Sequence, residues 1–164
     1  MKYILLLLLV FTSNIFAIEL QEVPGYTIGK WKGTMNYSHP STDEVSIVRS
    51  SYENSLSADT KSLEMKGNMI IDNKIISYSY TIRLEKNKIG LYEYIYSNDK
   101  GLNLRGTIQI LDKLNLKMID DKSKESTLIK IVKVDPNSYK FKVTYYHADG
   151  NLSYSGEGKS NQVK

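Results

Sequence analysis

Arg49 is the residue in this chain best suited to specific polar chemistry. It falls in phase with Val45 and Ile47 in an alternating run, so the three side chains are expected on one face of a strand. If that face is interior, the guanidinium is buried, and a buried charge is costly unless paired. A ligand carboxylate or phosphate would supply the pair, because the planar fork of Arg suits bidentate contact. The competing expectation is a strand end where Arg49 reaches solvent at a rim. Lys130 shares the phase of Leu128 and Val132 and raises the same question with less force.

The other candidates are softer. Met35, Met65, Met69 and Met118 fall on expected inward rows; methionine adapts to irregular apolar shapes, which suits a permissive cavity as well as an ordinary core. Tyr78, Tyr80, Tyr145 and Tyr154 are expected to line the same interior. A buried tyrosine needs a partner for its hydroxyl, so several together imply a partly polar or hydrated cavity. Tyr92, Tyr94 and Tyr96 form one face of their strand and Leu91, Glu93 and Ile95 the other, and periodicity does not decide which is inside. Trp31, the single tryptophan, reads first as a core plug and second as a surface on which a ligand could stack. His147 extends the row Tyr139, Phe141, Val143, Tyr145 toward a strand end, which makes it a candidate for the lumen, with a rim histidine as the competing reading; His39 sits in a loop. Two isolated histidines do not make a zinc site. With no cysteine, no disulfide or thiolate site exists. No nucleophile elbow or phosphate-binding glycine loop is present. The expectation is a binding protein rather than an enzyme, without metal or cofactor.

The elements that must position these residues are strands. In Ile76 to Leu84 one face is Ile, Tyr, Tyr, Ile, Leu and the other Ser, Ser, Thr, Arg, a period of two with one buried face. Leu102 to Ile110 and Tyr139 to His147 repeat it, and Leu63, Met65, Gly67, Met69 and Ile71 form a further inward row. Asn, Asp and Gly clusters between the runs supply the positive φ that tight hairpins need. Strands are expected near 30–38, 44–52, 62–71, 75–84, 88–97, 102–111, 114–119, 127–134, 138–147 and 151–159. No link is long enough for a crossover helix, so pairing is antiparallel. A long meander removes its edges by closing. The expected fold is therefore all-β: an antiparallel up-and-down barrel of about eight to ten strands, wide enough for a small ligand. Gly33, Gly67, Gly106, Gly156 and Gly158 would permit the coiling that closure needs.

Residues 1–17 read as a cleavable signal peptide. Lys2 precedes an apolar run from Tyr3 to Phe11, and Ala17 offers a small residue for the cut. The run is shorter than the roughly 20 residues that span a bilayer, and no cysteine near the cut could carry a lipid. Residues 18–164 then form one domain, periplasmic or secreted. The formal charge of +4 becomes +3 once Lys2 is removed. The lysines are scattered rather than striped, which disfavours nucleic acid as a partner. Thirteen tyrosines against three prolines favour pleated structure.

Gly29-Lys30-Trp31 opens the first strand, with Gly33 and Thr34 following. This resembles the G-x-W signature of lipocalins and related calycin barrels. In that superfamily the Trp closes one end of the barrel, often beneath an Arg of the last strand; here Lys159 is nearest that place. The other short lipocalin signatures are not visible. The resemblance implies a barrel holding a hydrophobic or amphipathic small molecule, with no stable membrane insertion. Some related barrels bind haem through one histidine, which makes His147 a remote haem ligand. The alternatives are a small outer-membrane barrel, whose apolar face looks outward, and an interaction module with a filled core. The oligomeric state is open.

Overall fold

The computed structural model describes residues 19–38, 40–42 and 45–164. The expected signal peptide and His39 lie outside the described residues. After a short 3-10 turn at Leu20–Glu22 come ten strands: β1 (Gly29–Ser38), β2 (Val45–Leu56), β3 (Ser62–Ile71), β4 (Lys74–Arg83), β5 (Tyr92–Asn98), β6 (Asn103–Asp112), β7 (Asn115–Asp120), β8 (Ser126–Asp135), β9 (Ser138–Tyr146) and β10 (Leu152–Val163). Each pairs antiparallel with its neighbours in sequence. β1 also pairs with β10, from Lys30 opposite Val163 to Ser38 opposite Ser155, which closes the barrel.

All ten expected strands are present, with differences of more than one residue at three ends. β2 runs to Leu56, four residues past the expected end near 52, because Asn54 is buried and donates from Nδ2 to the carbonyls of Gly25 and Thr27, each at 2.9 Å. β5 starts at Tyr92, four residues later than expected near 88, because the Asn87 side chain organises a turn by accepting from the amides of Ile89 and Leu91, both at 3.1 Å. β10 extends to Val163 because the start of β1 offers it a partner, with Lys30 opposite Val163.

Side chains alternate between lumen and exterior. In β4, Ile82 is fully buried whereas Ile75 on the opposite face is 60% exposed. Two glycines are required by geometry. Gly29 has φ +131°, a region that L side chains rarely adopt, where the chain turns into β1. A Cβ on Gly106 would meet the Ile119 carbonyl and lie 2.8 Å from the Tyr94 ring, so the glycine makes room for that ring inside the barrel.

The inside and outside of β4 can be told apart by stability. Ile82→Ala is expected to cost about 2–5 kcal/mol, and Ile75→Ala to stay within about 0.5 kcal/mol. Urea unfolding followed by circular dichroism measures both; equal effects would mean that the two faces are not distinguished as described.

Candidate functional site: a tyrosine-lined lumen

One end of the barrel is stoppered by the segment that precedes β1. Leu20 and Val23 are fully buried there. The segment is fastened by polar contacts: the Tyr92 hydroxyl donates to Glu19 Oε2 at 2.6 Å and accepts from the Leu20 amide at 3.3 Å. Asn54 holds Gly25 and Thr27 from inside. Trp31 is 6% exposed, donates from Nε1 to the Thr27 carbonyl at 3.2 Å, and meets Tyr139 edge to face at 5.5 Å. It packs with Ile131 and Tyr139 as part of this closed end.

Above the stopper the lumen is hollow. A cavity of about 200 Å³ lies between Tyr26, Met65, Tyr80, Met118 and Tyr139. A second of about 330 Å³ extends along Met35, Val48, Met69, Tyr78, Tyr145 and Tyr154. A third of about 290 Å³ lies between Tyr80, Tyr94, Leu104, Met118 and Asp120. Ile129 lines all three, so they are compartments of one interior. Small-molecule sites are concave, mostly apolar, and fall near 300–1,000 Å³.

The structure gathers most of the expected site residues in this space. Met35, Met65, Met69, Tyr78, Tyr80, Tyr145 and Tyr154 all line it. Tyr145 and Tyr154 stack at 3.9 Å, and Tyr80 meets Tyr96 at 4.7 Å. Tyr92, Tyr94 and Tyr96 are buried, which decides the face of β5. Trp31 stands one layer back from the cavities, behind Tyr139.

Four expectations about direction are corrected. Arg49 points outward: it pairs across the barrel wall with Thr34 and Ile70, and its face carries Val45 and Ile47, 61% and 50% exposed. The inward row of β2 is instead Ser46, Val48, Ser50, Tyr52 and Asn54. Phase with Val45 and Ile47 places Arg49 on their face without saying which side that face takes, and a hollow interior can be lined by serine. Lys130 is likewise exposed. Lys159 does not cover Trp31; it is exposed opposite Thr34, while Gln162 is the residue across from Trp31. His147 is exposed on the rim, with Nδ1 3.4 Å from Glu125 Oε1, and does not reach the lumen.

Residues not anticipated also line the cavities. Tyr37 lies two positions beyond Met35, and its phase was a usable signal. Tyr52 needed the opposite phase for β2; its hydroxyl shares a 2.7 Å hydrogen bond with that of Tyr139. Tyr26 lies before the first strand, where no periodicity reports on it. Asp120 continues the inward row Leu116, Met118 of β7, although Asp120 to Glu125 reads as a turn. It is 9% exposed. Its Oδ1 accepts from the amides of Lys122 and Ser123 at 3.0 and 2.6 Å. Burial pushes the Asp120 carboxyl up, but those amides, the Ser123 hydroxyl and the charge of Lys124 outweigh it and hold the group below the ordinary carboxylate range.

The lumen also acts on its tyrosines. Burial raises the phenols of Tyr26, Tyr78, Tyr80, Tyr139 and Tyr145. Tyr94 is pushed up to about 12 by burial and then by the charges of Asp120 and Asp121.

A closed ten-stranded antiparallel barrel with this interior has a lipocalin- or calycin-like fold. Among solved structures, the chain is similar to the S-type phycobiliprotein lyase of Guillardia theta, with a TM-score of 0.62 and 14% identity over 90% of this chain and 94% of that one. It also matches a de novo designed fluorescence-activating β-barrel, with a TM-score of 0.41 and 12% identity over 84% of this chain and 94% of that one. At these identities the likeness is one of fold. No protein-family model matches the chain, and no curated protein does.

A raised phenol pKa stabilises the folded state fully below the unfolded value near 10, and that contribution is lost as pH rises through the folded values. The buried tyrosines are therefore expected to ionise together with loss of the barrel. Alkaline titration should show tyrosinate absorbance rising in step with loss of the β-sheet circular dichroism signal. Complete ionisation with the sheet signal intact would overturn the burial assigned here.

Proposed function

We propose that this chain is an exported barrel that binds an apolar or amphipathic small molecule in its lumen. The observation that carries the reading is the continuous hollow around Ile129, walled by methionine, tyrosine and aliphatic side chains and stoppered at one end. A packed interaction module would have no use for such a space. Charged residues on the outer faces, among them Lys32, Lys66 and Arg105, oppose a lipid-embedded barrel, where an outward Lys or Arg costs up to about 2–4 kcal/mol. Binding is favoured over catalysis because His147 stands outside the lumen, paired with Glu125 on the rim. Export rests on the signal-peptide pattern of residues 1–17, and the mature protein would work where hydrophobic molecules cross an aqueous compartment.

Titration of the purified protein with an uncharged, environment-sensitive naphthyl fluorophore tests the binding. Saturable enhancement is expected, with quenching of Trp31 by energy transfer. Ile129→Phe, which fills the junction of the compartments, should weaken binding about tenfold or more, whereas Arg49→Ala on the outer wall should leave it unchanged. Absence of saturable binding, or equal effects of the two substitutions, would count against the lumen as the site. Export is checked separately by cell fractionation and by the mass of the mature chain.

A further inference from the structure

Asp120 presents an anomaly inside the barrel. Its Oδ1 caps the 121–125 turn, a task an amide oxygen would do equally well. Its Oδ2 is buried and has no hydrogen-bond partner among the described residues. Buried carboxylate oxygens are ordinarily paired, because an unpaired buried charge is costly. Asp120 lines the cavity of about 290 Å³ at the open end, together with Glu125 and the rings of Tyr80, Tyr94, Tyr145, Tyr146 and Tyr154. Among the described residues, no Lys, Arg or His lines any of the three compartments. The interior is thus apolar and aromatic along its length, with negative charge at one place only.

We propose that the Asp120 carboxylate holds a protonated amine on the ligand, whose apolar body lies in the lumen toward Ile129 and the stoppered end. This rests on the binding reading above and narrows it to cationic amphiphiles. The carboxylate lies at the cavity wall, where its charge attracts an ammonium in surroundings less polar than water. The faces of the surrounding tyrosines attract a cation through their ring quadrupoles. Glu125, at the mouth and turned to His147, adds negative charge on the entry side. An amphiphile ending in a carboxylate meets the reverse: it would bring a second anion beside Asp120 with no cation among the described residues of the lumen to receive it. The ligand class expected from an inward Arg49 is therefore inverted.

Competition against the uncharged naphthyl fluorophore decides the matter, using dodecylamine, dodecanol and dodecanoate at neutral pH below their micellar concentrations. The three share one apolar chain and differ only at the head. Dodecylamine is expected to bind about tenfold or more tighter than dodecanoate, with dodecanol between them. Asp120→Asn keeps the turn-capping oxygen and should remove the amine preference while leaving dodecanol unchanged. Equal or reversed preference in the wild-type protein overturns the proposal without any need of the variant. An amine preference that survives Asp120→Asn in a folded barrel, verified by circular dichroism, overturns it too. Failure of the fluorophore itself to bind overturns the binding reading as well, so the two failures are distinguishable.

Discussion

Closure is the constraint on which the rest of this molecule depends. β1 and β10 lie at opposite ends of the described chain and pair over nine residues, from Lys30–Val163 to Ser38–Ser155. Without that seam, two strands would present rows of unpaired N–H and C=O groups, a template for association with other chains. With it, every strand has a neighbour on both sides, and inside and outside become fixed for all ten at once. A one-residue slip in any pairing would exchange the two faces of a strand. The seam therefore specifies the lumen as well as the backbone.

A ring of ten strands encloses more space than aliphatic side chains fill, and the chain meets this in two ways. At the β1 end it folds the Glu19–Ile28 segment inward, so that Leu20, Val23 and Tyr26 stopper the barrel behind Trp31. Toward the other end it lines the wall with tyrosines, which cover a broad area while carrying a polar tip. Some of these tips find one another, as Tyr52 does with Tyr139 and Tyr96 with Asn98. Others ring the hollow. Such a wall is neither a dry core nor a water channel. It accepts an apolar body while keeping hydrogen-bonding capacity within reach.

Periodicity made most of this architecture legible. The inward rows of β3, β4, β6 and β9 follow directly from alternation, because their apolar residues do face the lumen. The G-x-W opening marked the closed end, and Gly29 is there because the backbone requires positive φ. Three things were not legible, each for a physical reason. β5 has aromatic residues on one face and Leu91 and Ile95 on the other, so hydrophobicity alone could not orient it. Tyr26 sits outside any strand. β2 reverses the usual pattern, with Val45 and Ile47 outside and Ser46 and Ser50 within.

The reversal in β2 and the position of Asp120 carry one lesson about reading polar sites in barrels. Charge on an apolar-looking face suggests a buried anchor, and Arg49 was the natural candidate. Yet a strand wall that surrounds a cavity has no obligation to be apolar on its inner side, so phase with Val45 and Ile47 located Arg49 on a face without locating the face. Asp120 was hidden by the opposite error: Asp followed by Asp, Lys and Ser reads as a turn, and a turn it is. Its second oxygen serves no turn. It is held by the last inward position of β7, opposite Gly106, where the missing side chain leaves room for Tyr94. One residue thus ends a strand, caps a loop and sets the sign of charge in the lumen. Only the register of β6 against β7 distinguishes that arrangement from an ordinary surface turn.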